Sequence, residues 1–262
     1  MSPSRNPDQL ELPAALVAAL SEARGAPLLV ALDFDGTLSL IVPHPAQARP
    51  VAGALPVLAR LAGSPGVTVA LVSGRPVADL REVSGVTESV LLIGSHGAEW
   101  GGRDHKRLSD RQAETLRQVR TEVAAMVDAT PGAMIEPKPA GFAIHVRQAE
   151  PTAGAELHAA VQALARAADL HVLAGKSVLD VGVHPLDKGA AVMELRHRLG
   201  DPTVLFAGDD VTDETVMTAA QSTDITIRVG PGETSARFRV PDPHALVTAL
   251  EYVVESRATL AP

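Results

Sequence analysis

Continuous apolar runs alternate along this chain with segments that carry their apolar positions at helical spacing. The runs PLLVAL (27–32), GVTVALVS (66–73) and VLLIGS (90–95) are unbroken rather than alternating. Runs of that kind suit strands covered on both faces, as in a parallel sheet. Between them the pattern predicts a helix over 51–62, just after Pro50, and another opening at Pro76. Proline fits a helix start because the N–H it lacks has no partner there. Strand, helix, strand, helix, strand is the order of a doubly wound α/β sheet.

The pattern then changes. After the polar stretch WGGRDHKRLSD comes a helix over 110–127, then AMIEPK, GFAIHVR, a helix over 151–168, LHVLAG and SVLDVGV. Several of these strands alternate. In FAIHVR, Phe142, Ile144 and Val146 fall on one face and Ala143, His145 and Arg147 on the other, because successive side chains of a strand point to opposite sides. A small α+β module with one polar sheet face is expected over 104–183. After HPLDKG the buried style returns: a helix over 190–199, the strand TVLFAG, the acidic turn DDVTDE, a further helix, the strand DITIRV and a C-terminal helix over 243–255. The expected organisation is a Rossmann-like core from residues 1–103 and 184–262, interrupted by an inserted α+β domain at 104–183. No internal repeat or low-complexity tract is present.

Composition narrows the functions. A chain of 262 residues that is 46% hydrophobic can bury a substantial core. Its net charge of −8 argues against a broad nucleic-acid footprint. The absence of cysteine removes disulfides, thiolate metal sites and cysteine nucleophiles. The short apolar stretch LPAALVAAL follows Asp8 and Glu11 and lacks a clear small-residue cleavage site, so it reads as a surface helix rather than a secretion signal. No stretch reaches the roughly 18 apolar residues of a membrane span. The expectation is an unexported, cytoplasmic monomer with no nucleic-acid or membrane partner.

Four polar motifs fall at the carboxyl ends of predicted strands or the start of a late helix: DFDGT (33–37), SGR (73–75), DKG (187–189) and GDDVTDE (208–214). In open α/β sheets, ligands bind outside the carboxyl ends of the strands. Each motif alone also fits a plainer role: an aspartate capping a helix or turn, a solvated lysine, acids beside a helix N-terminus. Together they make chemical sense. Asp33 and Asp35 lie two apart at a strand end and can face one pocket, where a divalent cation would relieve their repulsion. Asp209 and Asp213 can add oxygen ligands from the opposite loop. An all-oxygen set beside a phosphate favours Mg2+. Ser73 offers a hydroxyl, Lys188 a point charge, and Gly36 a backbone able to turn closely around a ligand.

The set resembles the haloacid dehalogenase superfamily, with DFDGTL as its D-x-D-x-T motif and Ser73, Lys188 and GDDVTDE as the second, third and fourth, in order. The resemblance implies an aspartyl-phosphate mechanism. Asp33 would be the nucleophile and Asp35 the proton carrier. Asp33, the backbone carbonyl of Asp35 and Asp209 would bind Mg2+, with Asp213 close or water-bridged. Ser73, Gly74 and Lys188 would hold phosphate. SGRP, GSHGAEW, EPKPAGFAIHVR, GKSVLDVGVHPLDKG and GDDVTDE further resemble the trehalose-6-phosphate phosphatase family, over about 28–229. That likeness implies sugar recognition by Glu136, Lys138, Arg147, Lys176 and Asp180 on the inserted domain, with Arg75 and His96 beside them. His96, flanked by glycines, reads equally as a core or turn histidine. Asp180 stands where the family usually has Glu, and Gly182 where it usually has Arg. The expected substrate is trehalose 6-phosphate, with a related phosphorylated disaccharide or pseudo-disaccharide as the alternative. A dehalogenase would lack Asp35, an ion pump would need membrane spans, and a non-catalytic sensor would show a degenerate site.

Overall fold

The computed structural model describes residues 12–102, 108–175 and 177–259. The central sheet contains β1 (Leu28–Leu32), β2 (Val67–Val72), β3 (Val90–Gly94), β4 (Glu99–Trp100), β9 (Thr203–Gly208), β10 (Ile225–Val229) and β11 (Phe238–Val240). Their order is β11-β10-β9-β1-β2-β3-β4. Only the β3–β4 pair is antiparallel. All five residues of β1 are buried, as an unbroken apolar run requires at the middle of a sheet covered on both sides.

Two apolar layers cover it. Leu28, Val30 and Leu32 face a cluster that includes Leu16 and Leu20 of α1 (Ala14–Glu22), Val57 and Leu61 of α2 (Ala54–Ala62), Leu80 of α3 (Val77–Ser84) and Leu250 of α8 (Pro243–Ala258). Leu29 and Ala31 face Val192 and Leu195 of α6 (Lys188–Arg198) and Val216 of α7 (Glu214–Ala219). Among the described residues, no helix is long and apolar enough to cross a membrane.

Between β4 and α6 the chain builds a second sheet of order β5-β6-β8-β7, all antiparallel. Its strands are β5 (Met134–Lys138), β6 (Gly141–His145), β7 (His171–Gly175) and β8 (Val178–Gly182). One face packs Phe142, Ile144, Leu179 and Val181 on α4 (Asp110–Asp128) and α5 (Pro151–Ala167). The other carries Glu136, Lys138, His145 and Asp180 towards the carboxyl edge of the central sheet. The expected boundary at 103/104 lies outside the described residues.

Three sequence expectations shift. The helix expected from 51 starts at Ala54, because Gly53 before it is left-handed, at φ 84°. The helix expected from 190 starts at Lys188, where the Asp187 side chain accepts from the Ala190 N–H as an N-cap. The strands β4 and β11 were not anticipated.

Candidate active site

The carboxyl end of β1 delivers Asp33 into a cleft of about 580 Å3 between the two sheets, 4% exposed. Its N–H donates to the Ala207 carbonyl of β9 at 3.0 Å, which fixes the strand end against the loop that follows β9. The Thr37 hydroxyl donates to Asp33 Oδ2 at 3.1 Å. Lys188, the first residue of α6, donates to Asp33 Oδ1 at 2.7 Å and to Asp213 Oδ1 at 2.8 Å. Asp213 Oδ2 in turn accepts the N–H groups of Asp209 and Asp210, both at 3.0 Å. One buried acid thereby shapes the acidic turn and also aims the lysine.

Asp33, Asp209 and Asp213 bring carboxylate oxygens within 4.8 Å of one another. Gly36 permits this crowding. It is left-handed, and a Cβ there would sit 2.0 Å from the Asp209 carboxylate. Burial pushes the Asp33 carboxyl well up, and the neighbouring Asp213 and Asp209 push it further against the opposing pull of Lys188. Asp209 is raised to about 7, by burial and then by Asp213 and Asp210. Burial would lower the Lys188 ammonium, but Asp213 and Asp33 outweigh it and raise it. Three carboxyls against one buried ammonium leave an excess of negative charge in a hard-oxygen setting. That donor set fits a divalent cation such as Mg2+.

Asp35 is turned differently. Its two oxygens accept from Arg75 Nε at 2.6 Å and Nη2 at 2.8 Å, a bidentate pair. Arg75 also donates to Asp79 at 2.6 Å and to the Pro45 carbonyl at 2.9 Å. Burial lowers its pKa, but the bonds to Asp35 and Asp79 outweigh this and raise it. The Arg75 guanidinium, expected among the substrate-binding residues, lines the cleft and also joins Asp35 to Asp79 at the start of α3.

At the end of β2, Ser73 is 2% exposed and its Oγ accepts from the Arg75 N–H at 3.2 Å. Gly74 lies against the His96 ring so closely that a Cβ would meet it at 2.5 Å. His96 is left-handed at φ 54°. Its Nδ1 is buried without a hydrogen-bond partner, and burial, then Lys188 and Lys138, lower its pKa to about 3. It is a neutral imidazole at the junction of the two sheets. Both readings of His96 thus meet in one residue, since it is a buried turn histidine that also lines the cleft.

Above the cleft, Lys138 donates to Asp180 at 2.5 Å and to the Gly74 carbonyl at 3.1 Å. Glu136 pairs with His145 Nε2 at 2.8 Å, the main cause of its lowered pKa. Arg147 lines the same space. Lys176 lies outside the described residues. His145 is absent from the residues expected at the site. Its alternation with Arg147 on one strand face was the signal that could have found it.

Comparison with known proteins places this geometry. The trehalose-phosphatase family model matches residues 31–244. The chain is 36% identical over 233 residues to a bifunctional trehalose-6-phosphate synthase/phosphatase of Thermoproteus tenax, covering 85% of this chain and 31% of that one. It is 38% identical over 202 residues to a trehalose-phosphate phosphatase of Mycolicibacterium paratuberculosis, covering 73% and 51%. It thus spans about half or less of the length of these relatives. Among solved structures, Aspergillus fumigatus trehalose-6-phosphate phosphatase superposes with a TM-score of 0.70 at 27% identity, covering 94% of this chain and all of that one. A haloacid dehalogenase core with an inserted α+β cap, matched by that family model over most of its length, assigns the chain to the trehalose-phosphatase family.

Proposed function

We propose that the protein is a Mg2+-dependent phosphatase that hydrolyses trehalose 6-phosphate to trehalose and phosphate through an aspartyl-phosphate. The observation that carries this reading is the cluster of Asp33, Lys188, Asp213 and Asp209 at the carboxyl edge of a parallel sheet, beneath a polar cap face. Asp33 attacks phosphorus, and the bond from phosphorus to the sugar oxygen breaks. Asp35 gives its proton to that oxygen, then takes one from the water that displaces Asp33 and releases phosphate. Both Asp35 oxygens accept from Arg75 in this structure, so Asp35 turns away from Arg75 before one of them carries that proton to the leaving oxygen. Ser73, the Gly74 N–H and Lys188 hold the phosphoryl oxygens, whose transfer depends mostly on positioning and charge. Asp33, Asp209, the Asp35 carbonyl and Asp213 would hold Mg2+, which when bound neutralises charge on the phosphate and on these acids.

The core motifs read the phosphate, so discrimination between sugars falls to the cap. Glu136 with its partner His145, together with Arg147, presents fixed donors and acceptors for hydroxyls. The described residues lining the cleft include no Phe, Tyr or Trp, so recognition there rests mainly on polar contacts. Asp180 and Gly182, which depart from the family pattern, favour as second reading a closely related phosphorylated disaccharide. The test is phosphate release with Mg2+ from trehalose 6-phosphate, glucose 6-phosphate and other disaccharide phosphates. Preference for trehalose 6-phosphate over glucose 6-phosphate is expected. Equal rates, or no release from trehalose 6-phosphate, overturn the substrate assignment.

A further inference from the structure

We propose that Arg228 is a brace for the acidic turn 209–213, a positioning residue that holds the turn, through the Asp210 carbonyl, in the shape that takes up the cation. The proposal deepens the phosphatase reading and rests on its metal site.

The turn joins β9 to α7 and carries Asp209, Asp210 and Asp213, with Glu214 next to it. Like charges packed so closely repel and work to open the bend. From inside, Asp213 holds it shut. The Asp213 carboxylate lies over Gly208, where a Cβ would sit 2.3 Å from the carboxyl carbon, and its Oδ2 accepts the Asp209 and Asp210 N–H groups. From outside, the support is Arg228. The Asp210 carbonyl accepts from the Asp213 N–H at 3.2 Å and from Arg228 Nη1 at 3.2 Å, which occupies both lone pairs of that oxygen. The two peptides flanking the Asp210 Cα are thus both tied. Asp209 shares the first of them, so its carboxylate is aimed by the same ties.

Arg228 is itself fixed. It is 9% exposed and stands on β10 opposite Gly208 in the register with β9, so its side chain starts one strand spacing from the base of the turn. Its Nε and Nη2 both donate to the Pro231 carbonyl, at 3.3 and 3.1 Å. Gly232 lets that loop close over the guanidinium: it is left-handed at φ 110°, and a Cβ there would lie 3.1 Å from Arg228 Nη2. Nη1 also meets Glu214 Oε1 at 3.4 Å, and Glu214 Oε2 accepts the Ser235 N–H at 2.7 Å. The rigid fork of arginine spans the Pro231 carbonyl on one side and the turn on the other, which the single nitrogen of lysine cannot do. Arg228 is not among the residues lining the cleft, so its influence on the site passes through the turn.

The brace and the charge of Arg228 act in opposite senses. A cation near the metal site repels Mg2+, whereas a fixed turn presents its ligands ready for it. The direction in which Mg2+ affinity moves when Arg228 is replaced therefore separates the two. The test titrates Mg2+ alone, by calorimetry, into chelator-treated wild type, Arg228→Met and Arg228→Lys. Arg228→Met should weaken Mg2+ binding about tenfold, the scale on which residues behind metal ligands act. Arg228→Lys keeps the charge without the fork and should weaken it about threefold or more; it serves if Arg228→Met does not fold. With p-nitrophenyl phosphate, the Mg2+ concentration for half-maximal rate should rise in parallel, and saturating Mg2+ should restore kcat to within about threefold of wild type.

Mg2+ affinity that is unchanged or tighter in Arg228→Met, or unchanged in Arg228→Lys, overturns the brace. So does a loss of kcat that saturating Mg2+ does not repair, because Arg228 would then support more than the turn. If wild type takes up no Mg2+, the metal site and the brace fall together. If wild type binds Mg2+ and the variants bind it weakly, yet neither trehalose 6-phosphate nor p-nitrophenyl phosphate is hydrolysed, the phosphatase reading fails and the brace stands.

Discussion

Acidification should weaken this protein through His96, and substituting that residue should blunt the effect. The ring is only 15% exposed, and burial beside Lys188 and Lys138 lowers its pKa from 6.5 to about 3. The unfolded chain binds a proton there below pH 6.5 and the folded chain does not. This contribution is therefore complete above pH 6.5 and is lost as pH falls from 6.5 towards 3. Between pH 7 and pH 5 the linkage relation gives a loss of about 2 kcal/mol. The figure is insensitive to the folded value, because any pKa below about 4 leaves the folded imidazole neutral at pH 5. Asp209 works in the opposite sense. Its carboxyl is raised to about 7, so its contribution is present below the unfolded value of 3.8 and is lost as pH rises through 7. That opposing slope is common to wild type and variant and cancels in their difference. The assay is urea unfolding at pH 7 and pH 5, in chelator so that metal affinity does not change with pH. His96→Asn is the variant, since asparagine tolerates the left-handed backbone at this position. It should lose about 2 kcal/mol less than wild type over that interval, whatever its stability at pH 7. Equal losses would show that His96 titrates freely in the folded protein and that the junction between the sheets is wetter than its geometry indicates.

Asp33→Asn should reduce turnover below about a thousandth of wild type, with the far-ultraviolet circular dichroism unchanged, because an amide is neither a competent nucleophile nor a good ligand for a hard cation. More activity than that argues against the covalent route. Adding Mg2+ to chelator-treated protein should raise the melting temperature and restore phosphate release, since an ion that binds only the folded state stabilises it by mass action. Asp224, fully buried, accepts from Arg196 at 2.9 Å, from the Val204 N–H at 2.9 Å and from the Gln221 N–H at 2.7 Å. Asp224→Ala should therefore cost about 3–5 kcal/mol in urea unfolding, as expected when a buried charge loses its partner. A cost below about 1 kcal/mol, the scale of an exposed pair, would refute it.

The strands that lead to the site were legible because they are long apolar runs, buried throughout in β1 and over all but the first one or two residues in β9 and β2. The unbroken runs leading to Asp33, Ser73 and Asp209 mark β1, β2 and β9, and their ends place the motifs. The strands that escaped, β4 and β11, have two and three residues, too few for any periodicity to register. Residue types and motif order also brought Asp33, Lys188, Asp209 and Asp213 together correctly, because each follows a strand end or begins a helix. Pairings made across the fold were not legible. Arg75 reaches Asp35 only because β1 and β2 are neighbours. Lys138 meets Asp180 only because β6 lies between their strands with small residues at the crossing. Neither contact leaves a spacing rule in the chain, so the carboxylate partners of Arg75 and Lys138 could not be read from the sequence, although both side chains do line the cleft.

The place of β1 between β2 and β9 also bears on how the protein is made. Leu28 pairs with Val67 on one side and with Thr203 on the other, and the whole inserted domain is synthesised between those partners. At about 5–20 residues per second, a ribosome takes on the order of ten seconds or more to deliver β9 after β1 has emerged. Throughout that interval the nascent chain presents the bare backbone edge of its most apolar strand, the kind of surface that recruits other strands. The cap, whose sheet and helices are contiguous in sequence, can fold meanwhile. Chaperone dependence and translation-speed sensitivity should therefore concentrate in the first hundred residues, and a stall before β9 should be more damaging than one after it.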